Sequence, residues 1–289
     1  MIIDKLFLHV AVKGHVCVGL DTDCEYLPTY FLKAFSHVSD ALFSFNKQII
    51  DATIDVVACY KVQIAYYEAL GIQGMIAYKK TLSYLRERKA IVIADVKRGD
   101  IAKTAGMYAK AHFSGDFEAD FITLNPYMGM DTIDPFLPYV RDKEKGIFVL
   151  IRTSNEGATD IECLPTAEAP KRVYNMVGEK ISTLGKEYIG RCGFSSIGGV
   201  MGCTHAEEVY EIRQQLDSTF FLIPGYGAQG GKTEDVVPYL KNGNGGVVNA
   251  SRSILLAYKK VENGEERFDE HARNEAIRMR DEIWKSLRA

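Results

Sequence analysis

Short apolar runs recur along the chain, and each is followed by a longer segment of helical character. The runs are HVCVGLD (15 to 21), VVACYKVQ (56 to 63), AIVIADVK (90 to 97), DFITLN (120 to 125), KGIFVLIRT (145 to 153), SSIGGVMG (195 to 202), TFFLIPG (219 to 225) and GGVVNAS (245 to 251). Strands that alternate with helices are typical of an α/β protein with a parallel sheet. Eight such units over 289 residues predict a closed (β/α)₈ (TIM) barrel, and a doubly wound open sheet is the less favoured architecture.

Segments outside these units predict a helix at each end of the chain. The first dozen or so residues predict an extra helix ahead of the first strand. Residues 265 to 289 carry spaced apolar positions among many charges, which is typical of a closing amphipathic helix. The longest polar connection, residues 154 to 172, is too short for a second domain. We therefore expect a single barrel domain over residues 1 to 289.

Composition narrows the classes of partner. Lys and Arg total 35 against 38 Asp and Glu, so a net charge of −3 gives no broad basic field for nucleic acid. No apolar run approaches the roughly 18 residues that a membrane span needs. The first residues lack a small-residue cleavage site, which argues against a signal peptide.

Cysteine and histidine spacing gives little support for a metal site. The six cysteines form no C-x-x-C pair, and the six histidines form no H-x-H or H-E-x-x-H group. Reduced, mostly structural thiols are expected, and these are typical of a cytoplasmic protein.

Ionisable side chains end three neighbouring strands of the predicted barrel. Side chains two residues apart on a strand point to the same face, so each charge lies above a column of small or branched residues. The charges that share this parity are Asp21, Lys61, Asp95 and Lys97. Any one of them alone would be interpreted as a solvated strand end. Agreement among three strands predicts a catalytic cluster, because barrel active sites form at the carboxyl ends of strands.

The segment PGYGAQGGKT (224 to 233) places Gly225, Gly227 and Gly230 in G-x-G-x-x-G spacing. This spacing matches the dinucleotide fingerprint, but that motif belongs to a first βαβ unit, whereas this loop follows the seventh strand. Loops after strands seven and eight of a barrel commonly bind phosphate, and Arg252 follows the eighth strand as a forked cationic donor. We therefore predict a phosphate site, with a flexible hinge beside an unrelated surface arginine as the alternative.

Six segments in the same order resemble the orotidine 5′-monophosphate decarboxylase family, in particular its longer bacterial branch. The segments are CVGLDTD, CYKVQIAYYE, ADVKRGD with its D-x-K-x-x-D signature, RTSNEGA, PGYGAQGG and NASRSI. The resemblance implies decarboxylation of orotidine 5′-monophosphate to uridine 5′-monophosphate, the final step of de novo pyrimidine nucleotide synthesis. It also implies that no metal or organic cofactor takes part.

The resemblance implies a role for each charge of the predicted cluster. Lys97 would donate the proton to C6 of the pyrimidine, and Asp95 would lie beside the substrate carboxylate. Lys61 and Asp100 would complete an alternating charged network. Asp21 and Lys61 would also contact ribose hydroxyls. In the family, the residues that match Asp100 and Thr104 enter from the partner subunit, which implies a homodimer with shared sites.

The remaining implied contacts bind the base and the phosphate. Ser154 would contact the base, Gln229 would bridge base and phosphate beside Gly230, and Arg252 would bind the phosphate. The chain departs from compact family members at Ser251, where those proteins usually carry glycine before the arginine. The connection after Ser154 differs from theirs as well.

Three other functions remain as alternatives. One is a metal-dependent sugar-phosphate lyase on the same barrel, which would use carboxylates around Mg²⁺. Another is an NADP-dependent oxidoreductase that uses the G-x-G-x-x-G loop and Arg252. The third is a non-catalytic sensor of a phosphate ligand, which is disfavoured because a pure binder gains little from a costly cluster of charges.

Overall fold

The computed structural model of the chain describes residues 1–167, 170–203, 206–226, 231 and 233–288. In this part of the chain, eight parallel strands form a closed barrel in sequence order, with β8 paired to β1. The strands are β1 (Val16–Gly19), β2 (Cys59–Gln63), β3 (Val92–Arg98), β4 (Phe121–Leu124), β5 (Gly146–Arg152), β6 (Ser195–Met201), β7 (Thr219–Ile223) and β8 (Gly246–Ala250). The predicted (β/α)₈ barrel is confirmed, and the open sheet is wrong.

Helices connect the strands and flank the barrel. They are α1 (Ile2–Lys13), α2 (Thr29–Lys33), α3 (Val38–Thr53), α4 (Ile64–Glu68), α5 (Gly71–Glu87), α6 (Ala102–Phe113), α7 (Leu137–Asp142), α8 (Val173–Gly185), α9 (Ala206–Gln215), α10 (Thr233–Val236), α11 (Arg252–Leu255) and α12 (Phe268–Arg288). Helix α1 is the predicted extra helix, and α12 is the predicted closing helix. None of the described helices is long and apolar enough to cross a membrane.

The inside of the barrel is filled by apolar side chains of the strands. Phe121 and Phe148 pack with ring centroids 5.1 Å apart. Gly146 leaves room for them, because a Cβ at this position would lie 2.2 Å from the Phe121 ring. The same cluster contains Cys17, Cys59, Ile91 and Ile93, so the residue column below each predicted charge faces inward.

Helix α1 closes the amino-terminal end of the barrel. Ile3 and Leu6 are fully buried in the same interior cluster, and His9 Nδ1 lies 3.0 Å from the carbonyl oxygen of Ala58, just ahead of β2. A second apolar layer lies between the strands and the surrounding helices. There Phe45 of α3 stacks on Phe268 of α12 at 4.7 Å. Helix α1 therefore closes the amino-terminal end of the barrel, and the charged side chains meet at the opposite, carboxyl-terminal end.

The described residues of the connection after β5, 153–167 and 170–172, hold little regular structure. It contains a short 3₁₀ helix, Glu156–Asp160, and an isolated bridge between Pro165 and Arg172 ahead of α8.

Candidate active site

Lys61 lies at the centre of the charged cluster. Strand pairing sets it beside Gly19 of β1 and Ile93 of β3, so its side chain rises between the ends of these two neighbours. Its Nζ atom is 2.9 Å from Asp21 Oδ1 and 3.0 Å from Asp95 Oδ2. Only 5% of the Lys61 side chain is exposed, so the ammonium group is held almost entirely by these two carboxylates.

Asp95 accepts hydrogen bonds on both of its carboxylate oxygens. Lys97 Nζ donates to Oδ1 at 2.7 Å, and the Thr123 hydroxyl donates to the same atom at 2.9 Å. Gln63 Nε2 donates to Oδ2 at 2.9 Å, beside Lys61. A carboxylate offers about four lone-pair sites, so these donors satisfy it fully. Asp95 therefore holds the two lysines in one fixed arrangement.

Burial and charge act in opposite directions on these groups. Burial alone raises the pKa of Asp95, but the ammonium groups of Lys61 and Lys97 outweigh it and hold this pKa well below its usual range. Burial alone lowers the pKa of Lys61, but Asp21 and Asp95 together reverse this and raise its pKa above the ordinary value. Both side chains are therefore charged at neutral pH, in a place where unpaired charges would be costly.

The end of β3 is irregular, and this irregularity sets the direction of the Lys97 side chain. The β3–β4 register shifts between Ala94 and Arg98, and Lys97 has a φ of 44°. A non-glycine residue in this left-handed region costs roughly 1–2 kcal/mol. The Thr123 hydroxyl offsets the strain, because it accepts from Val96 N at 3.0 Å and from Lys97 N at 2.9 Å. One hydroxyl thus fixes both the Lys97 backbone and the Asp95 carboxylate.

The site opens into two adjoining cavities. One, of about 280 Å³, is lined by Asp21, Lys61, Asp95, Pro224, Gly225 and Arg252. The other, of about 930 Å³, is lined by Lys97 together with Asn125, Leu150, Thr153 and Tyr174. The charged cluster therefore lies between a small polar cavity beside β8 and a larger, mainly apolar cavity beside β4 and β5.

Arg252 lies at the rim of the smaller cavity, where α11 begins directly after β8. It is exposed, and no carboxylate of the residues that the structure describes forms an ion pair with its guanidinium group. Gly225, at the start of the glycine-rich loop, lines the same cavity with a φ of 102°. The predicted positions Gly227, Gln229 and Gly230 lie outside the described residues.

Asp100 and Thr104 do not join the cluster of their own chain. The Asp100 carboxylate accepts from the backbone N–H of Ile101 at 2.8 Å, and Thr104 is exposed on the first turn of α6. Large apolar side chains are also exposed on this connection and on the one after β4. They are Ile101, Met107, Tyr127 and Met128.

Ser154 lies just beyond the carboxyl end of β5, as expected, and the half-buried carboxylate of Glu162 fixes the residue before it. Glu162 Oε2 accepts from Thr153 N at 2.8 Å, and Glu162 Oε1 accepts from Thr153 Oγ1 at 2.7 Å. Arg152 Nη1 adds a longer contact of 3.4 Å to Glu162 Oε2. The Ser154 backbone also packs on Gly202, where a Cβ would lie 2.9 Å from the Ser154 Cβ. The connection is thus anchored at its start.

We expect Glu162→Gln to raise the KM for a ligand that contacts Ser154 while changing kcat less. An amide is neutral, so the contacts that Thr153 N and Arg152 Nη1 make with the Glu162 carboxylate lose their charge assistance. A hydrogen bond to a charged group contributes about 1.5–3 kcal/mol, which corresponds to roughly tenfold or more in KM. Steady-state kinetics check this, with Glu156→Gln, at an exposed position of the same connection, as the matched control. An unchanged KM in Glu162→Gln would show that the anchor has no functional role.

Several residues that line the site were not predicted from the sequence. Gln63 lies two positions after Lys61, and Thr123 two positions after the inward-facing Phe121, so the parity rule could have found both. Tyr26 and Tyr66 line the smaller cavity from helical segments, and no periodic signal marks them. Within the described residues, no group of three or more His, Cys, Asp and Glu side chains could hold a metal ion.

Comparison with known proteins decides the family. The family model described as "Orotidine 5'-phosphate decarboxylase / HUMPS family" matches residues 14–266, a range that includes all eight strands. The chain belongs to this orotidine 5′-phosphate decarboxylase / HUMPS family. The resemblance of the six segments is thereby confirmed.

Relatives match the chain over its whole length. A curated orotidine 5′-phosphate decarboxylase from Clostridium acetobutylicum is 66% identical over 287 residues, which cover 99% of this chain and 100% of that protein. One from Clostridium tetani is 59% identical over 287 residues, with 99% of each protein covered. Among solved structures, the OMP decarboxylase of Leishmania donovani has a TM-score of 0.78 at 27% identity, and covers 100% of this chain and 99% of that one. Family members thus share both the sequence and the barrel.

Proposed function

We propose that this protein decarboxylates orotidine 5′-monophosphate to uridine 5′-monophosphate in pyrimidine nucleotide synthesis. The observation that carries the proposal is the convergence of Lys61 and Lys97 on Asp95 at the carboxyl end of the barrel. Full-length similarity to curated decarboxylases supports the same function. The arrangement also suits the chemistry, which requires fixed positive charge beside a carbon that loses a carboxylate.

The reaction leaves a carbanion that the pyrimidine ring cannot delocalise, because its electron pair lies in the ring plane. The bond between C6 and the carboxyl carbon breaks, CO₂ leaves, and the electron pair stays on C6. We assign Lys97 as the group that donates its Nζ proton to this pair. The lysine then regains a proton from water, so the cycle consumes no cofactor.

Lys97 alone cannot supply the acceleration. One ammonium about 4 Å from a unit negative charge contributes on the order of 4 kcal/mol at an effective dielectric near 20. Enzymes typically supply roughly 8 to 23 kcal/mol. We propose that the remainder comes from the prearranged cluster and from phosphate binding energy, which favours a closed site that excludes water. In this scheme the distant phosphate contact has a catalytic effect.

Asp95 has two tasks in the proposed mechanism. It places the Lys97 ammonium through a contact of 2.7 Å, and its negative charge lies where the substrate carboxylate is expected. Because Lys61 and Lys97 hold its pKa well below the usual range, it stays ionised when substrate enters. Decarboxylation removes the repulsion between the two carboxylates.

The proposal is tested by following the absorbance of orotidine 5′-monophosphate mixed with purified protein, with and without a chelator. We expect the pyrimidine absorbance to change to that of uridine 5′-monophosphate at the same rate in both samples. Absence of conversion would contradict the proposal. Loss of conversion with the chelator would favour the metal-dependent lyase chemistry, and binding of NADP would favour the oxidoreductase. Full-length similarity to decarboxylases supports neither alternative.

We propose that the protein acts as a homodimer with shared active sites. Asp100 and Thr104 lie outside the cluster of their own chain, on a connection where Ile101 and Met107 are exposed. Exposed apolar side chains on neighbouring connections are typical of an interaction surface. A second copy covering this surface would bring its own Asp100 towards Lys97.

We further propose that residues 1–289 form one domain and that the protein works in the cytoplasm. Helix α1 packs into the amino-terminal end of the barrel, and α12 packs against β1 and α3. Both terminal helices therefore belong to the same hydrophobic core as the strands. The six cysteines are free thiols, which suits a reducing compartment. No broad basic surface or membrane partner is needed for a small nucleotide substrate.

We expect Arg252→Ala to lower kcat/KM for orotidine 5′-monophosphate by about a hundredfold or more. A forked guanidinium offers the phosphate two charge-assisted hydrogen bonds, each contributing about 1.5–3 kcal/mol. Steady-state kinetics measure the loss. Arg267→Ala, which removes an exposed arginine paired with Glu270, is the matched control and should leave kcat/KM unchanged. An unchanged kcat/KM in Arg252→Ala would rule out the phosphate role.

A further inference from the structure

Ser251 links the two ends of the proposed nucleotide site. It follows β8, precedes Arg252 directly, and donates its hydroxyl proton to Asp21 Oδ2 at 2.8 Å. Lys61 occupies the other oxygen, Asp21 Oδ1, at 2.9 Å. Both oxygens of the carboxylate are therefore held by donors from different strands, one from β2 and one from the end of β8.

Gly19 of the neighbouring strand β1 leaves the space that the contact between Ser251 and Asp21 needs. A Cβ at Gly19 of β1 would lie 1.9 Å from Ser251 Oγ, so the serine side chain occupies the volume that Gly19 leaves empty. Asn249 Nδ2 also approaches Ser251 Oγ at 3.5 Å. Asn249 is 8% exposed and lines the same cavity. The Ser251 side chain thus packs closely on Gly19 and lies next to Asn249.

A second donor on Asp21 has a clear physical effect. The terminal torsion of an aspartate is broad, so a carboxylate held at one oxygen can still rotate. Asp21 is also 19% exposed, and water competes for its second oxygen. Charge-assisted hydrogen bonds to both oxygens fix the plane of the carboxylate.

We propose that Ser251 is a positioning residue that orients Asp21 for recognition of a ribose hydroxyl. This inference rests on the proposed function, because it takes the ribose of the nucleotide as the ligand of Asp21. Arg252 is the next residue, so the proposed phosphate contact lies directly after Ser251 in the chain. The contact continues through Asp21 and Lys61 to Asp95, so the phosphate end is connected to the charged cluster.

The test compares ligands that differ only in their ribose hydroxyls. Isothermal titration calorimetry gives the Kd of uridylate, 2′-deoxyuridylate and 3′-deoxyuridylate for the wild-type protein and for Ser251→Ala. In the wild type, the analogue that lacks the hydroxyl bound by Asp21 should bind more weakly than uridylate. In Ser251→Ala, uridylate should lose about tenfold in affinity while that analogue changes little, so the discrimination shrinks by the same factor.

Two further variants make the result specific. Gly19→Ala displaces the Ser251 side chain without removing its hydroxyl, and should reduce the discrimination in the same way. Ser196→Ala is the control, because the Ser196 hydroxyl is buried and has no hydrogen-bond partner among the described residues. It should leave the ratio of Kd values unchanged.

The outcomes separate this inference from the function on which it rests. If the wild type neither converts orotidine 5′-monophosphate nor binds uridylate, the proposed function fails. If the wild type is active but Ser251→Ala weakens all three ligands equally, or none of them, the positioning role is overturned.

Discussion

Lys97→Ala is expected to abolish measurable decarboxylation while leaving the binding of uridylate measurable. Loss of a positioned proton donor typically costs about 10²–10⁴-fold. Loss of roughly 4 kcal/mol of charge stabilisation adds about 10³-fold, so the expected decrease in kcat is on the order of 10⁵-fold or more. The Lys97 side chain is 46% exposed, so its removal leaves no large buried cavity.

The same variant separates chemistry from binding. Asp95 keeps Lys61, Gln63 and Thr123 as donors when Lys97 is absent, so the rest of the cluster should persist. Calorimetric titration with uridylate checks whether the binding site persists. An absorbance assay with long incubation measures the residual turnover. Lys79→Ala, which breaks an exposed pair with Asp116 on another face, is the matched control and should be fully active. Near-normal turnover in Lys97→Ala would remove this lysine from the mechanism.

Much of the fold could be predicted because the strand signal is strong. Strands buried on both faces give short continuous apolar runs, and all eight runs coincide with barrel strands. The convergence of Asp21, Lys61 and Asp95 followed from side-chain alternation, which depends only on backbone geometry. Lys61 and Asp95 lie on the adjacent strands β2 and β3, and Asp21 lies two residues beyond the end of β1, the other neighbour of β2.

The details that complete the site depend on contacts between distant segments. Nothing in the local sequence marks the register shift in β3 or the left-handed backbone of Lys97, because both are held by Thr123 of the next strand. The bond from Ser251 to Asp21 joins residues that are 230 positions apart. The role of the Glu162 carboxylate likewise requires the connection after β5 to fold back on itself. Periodicity describes single elements and carries no information about such pairs.

Co-expression of Lys97→Ala and Asp100→Ala chains is expected to restore activity that neither variant has alone. If Asp100 completes the site of the partner subunit, a hybrid dimer has one native site and one that carries both substitutions. Random pairing makes half of the dimers hybrid, so about a quarter of the wild-type sites should be active. The placement of Asp100 outside its own cluster motivates this expectation. Turnover per total chain, measured after purification of the mixture and divided by the wild-type value, gives the fraction.

A second mixture makes this result specific to the shared site. Lys97→Ala combined with Asp95→Asn should stay inactive, because both residues act in the same chain and each hybrid site then lacks one of them. Recovery in the first mixture but not in the second can arise only if Asp100 crosses between subunits. If the first mixture stays inactive while sequential purification on two different affinity tags, one on each variant, recovers hybrid dimers, Asp100 does not act across the interface. The exposed Ile101 and Met107 side chains would then need a different partner.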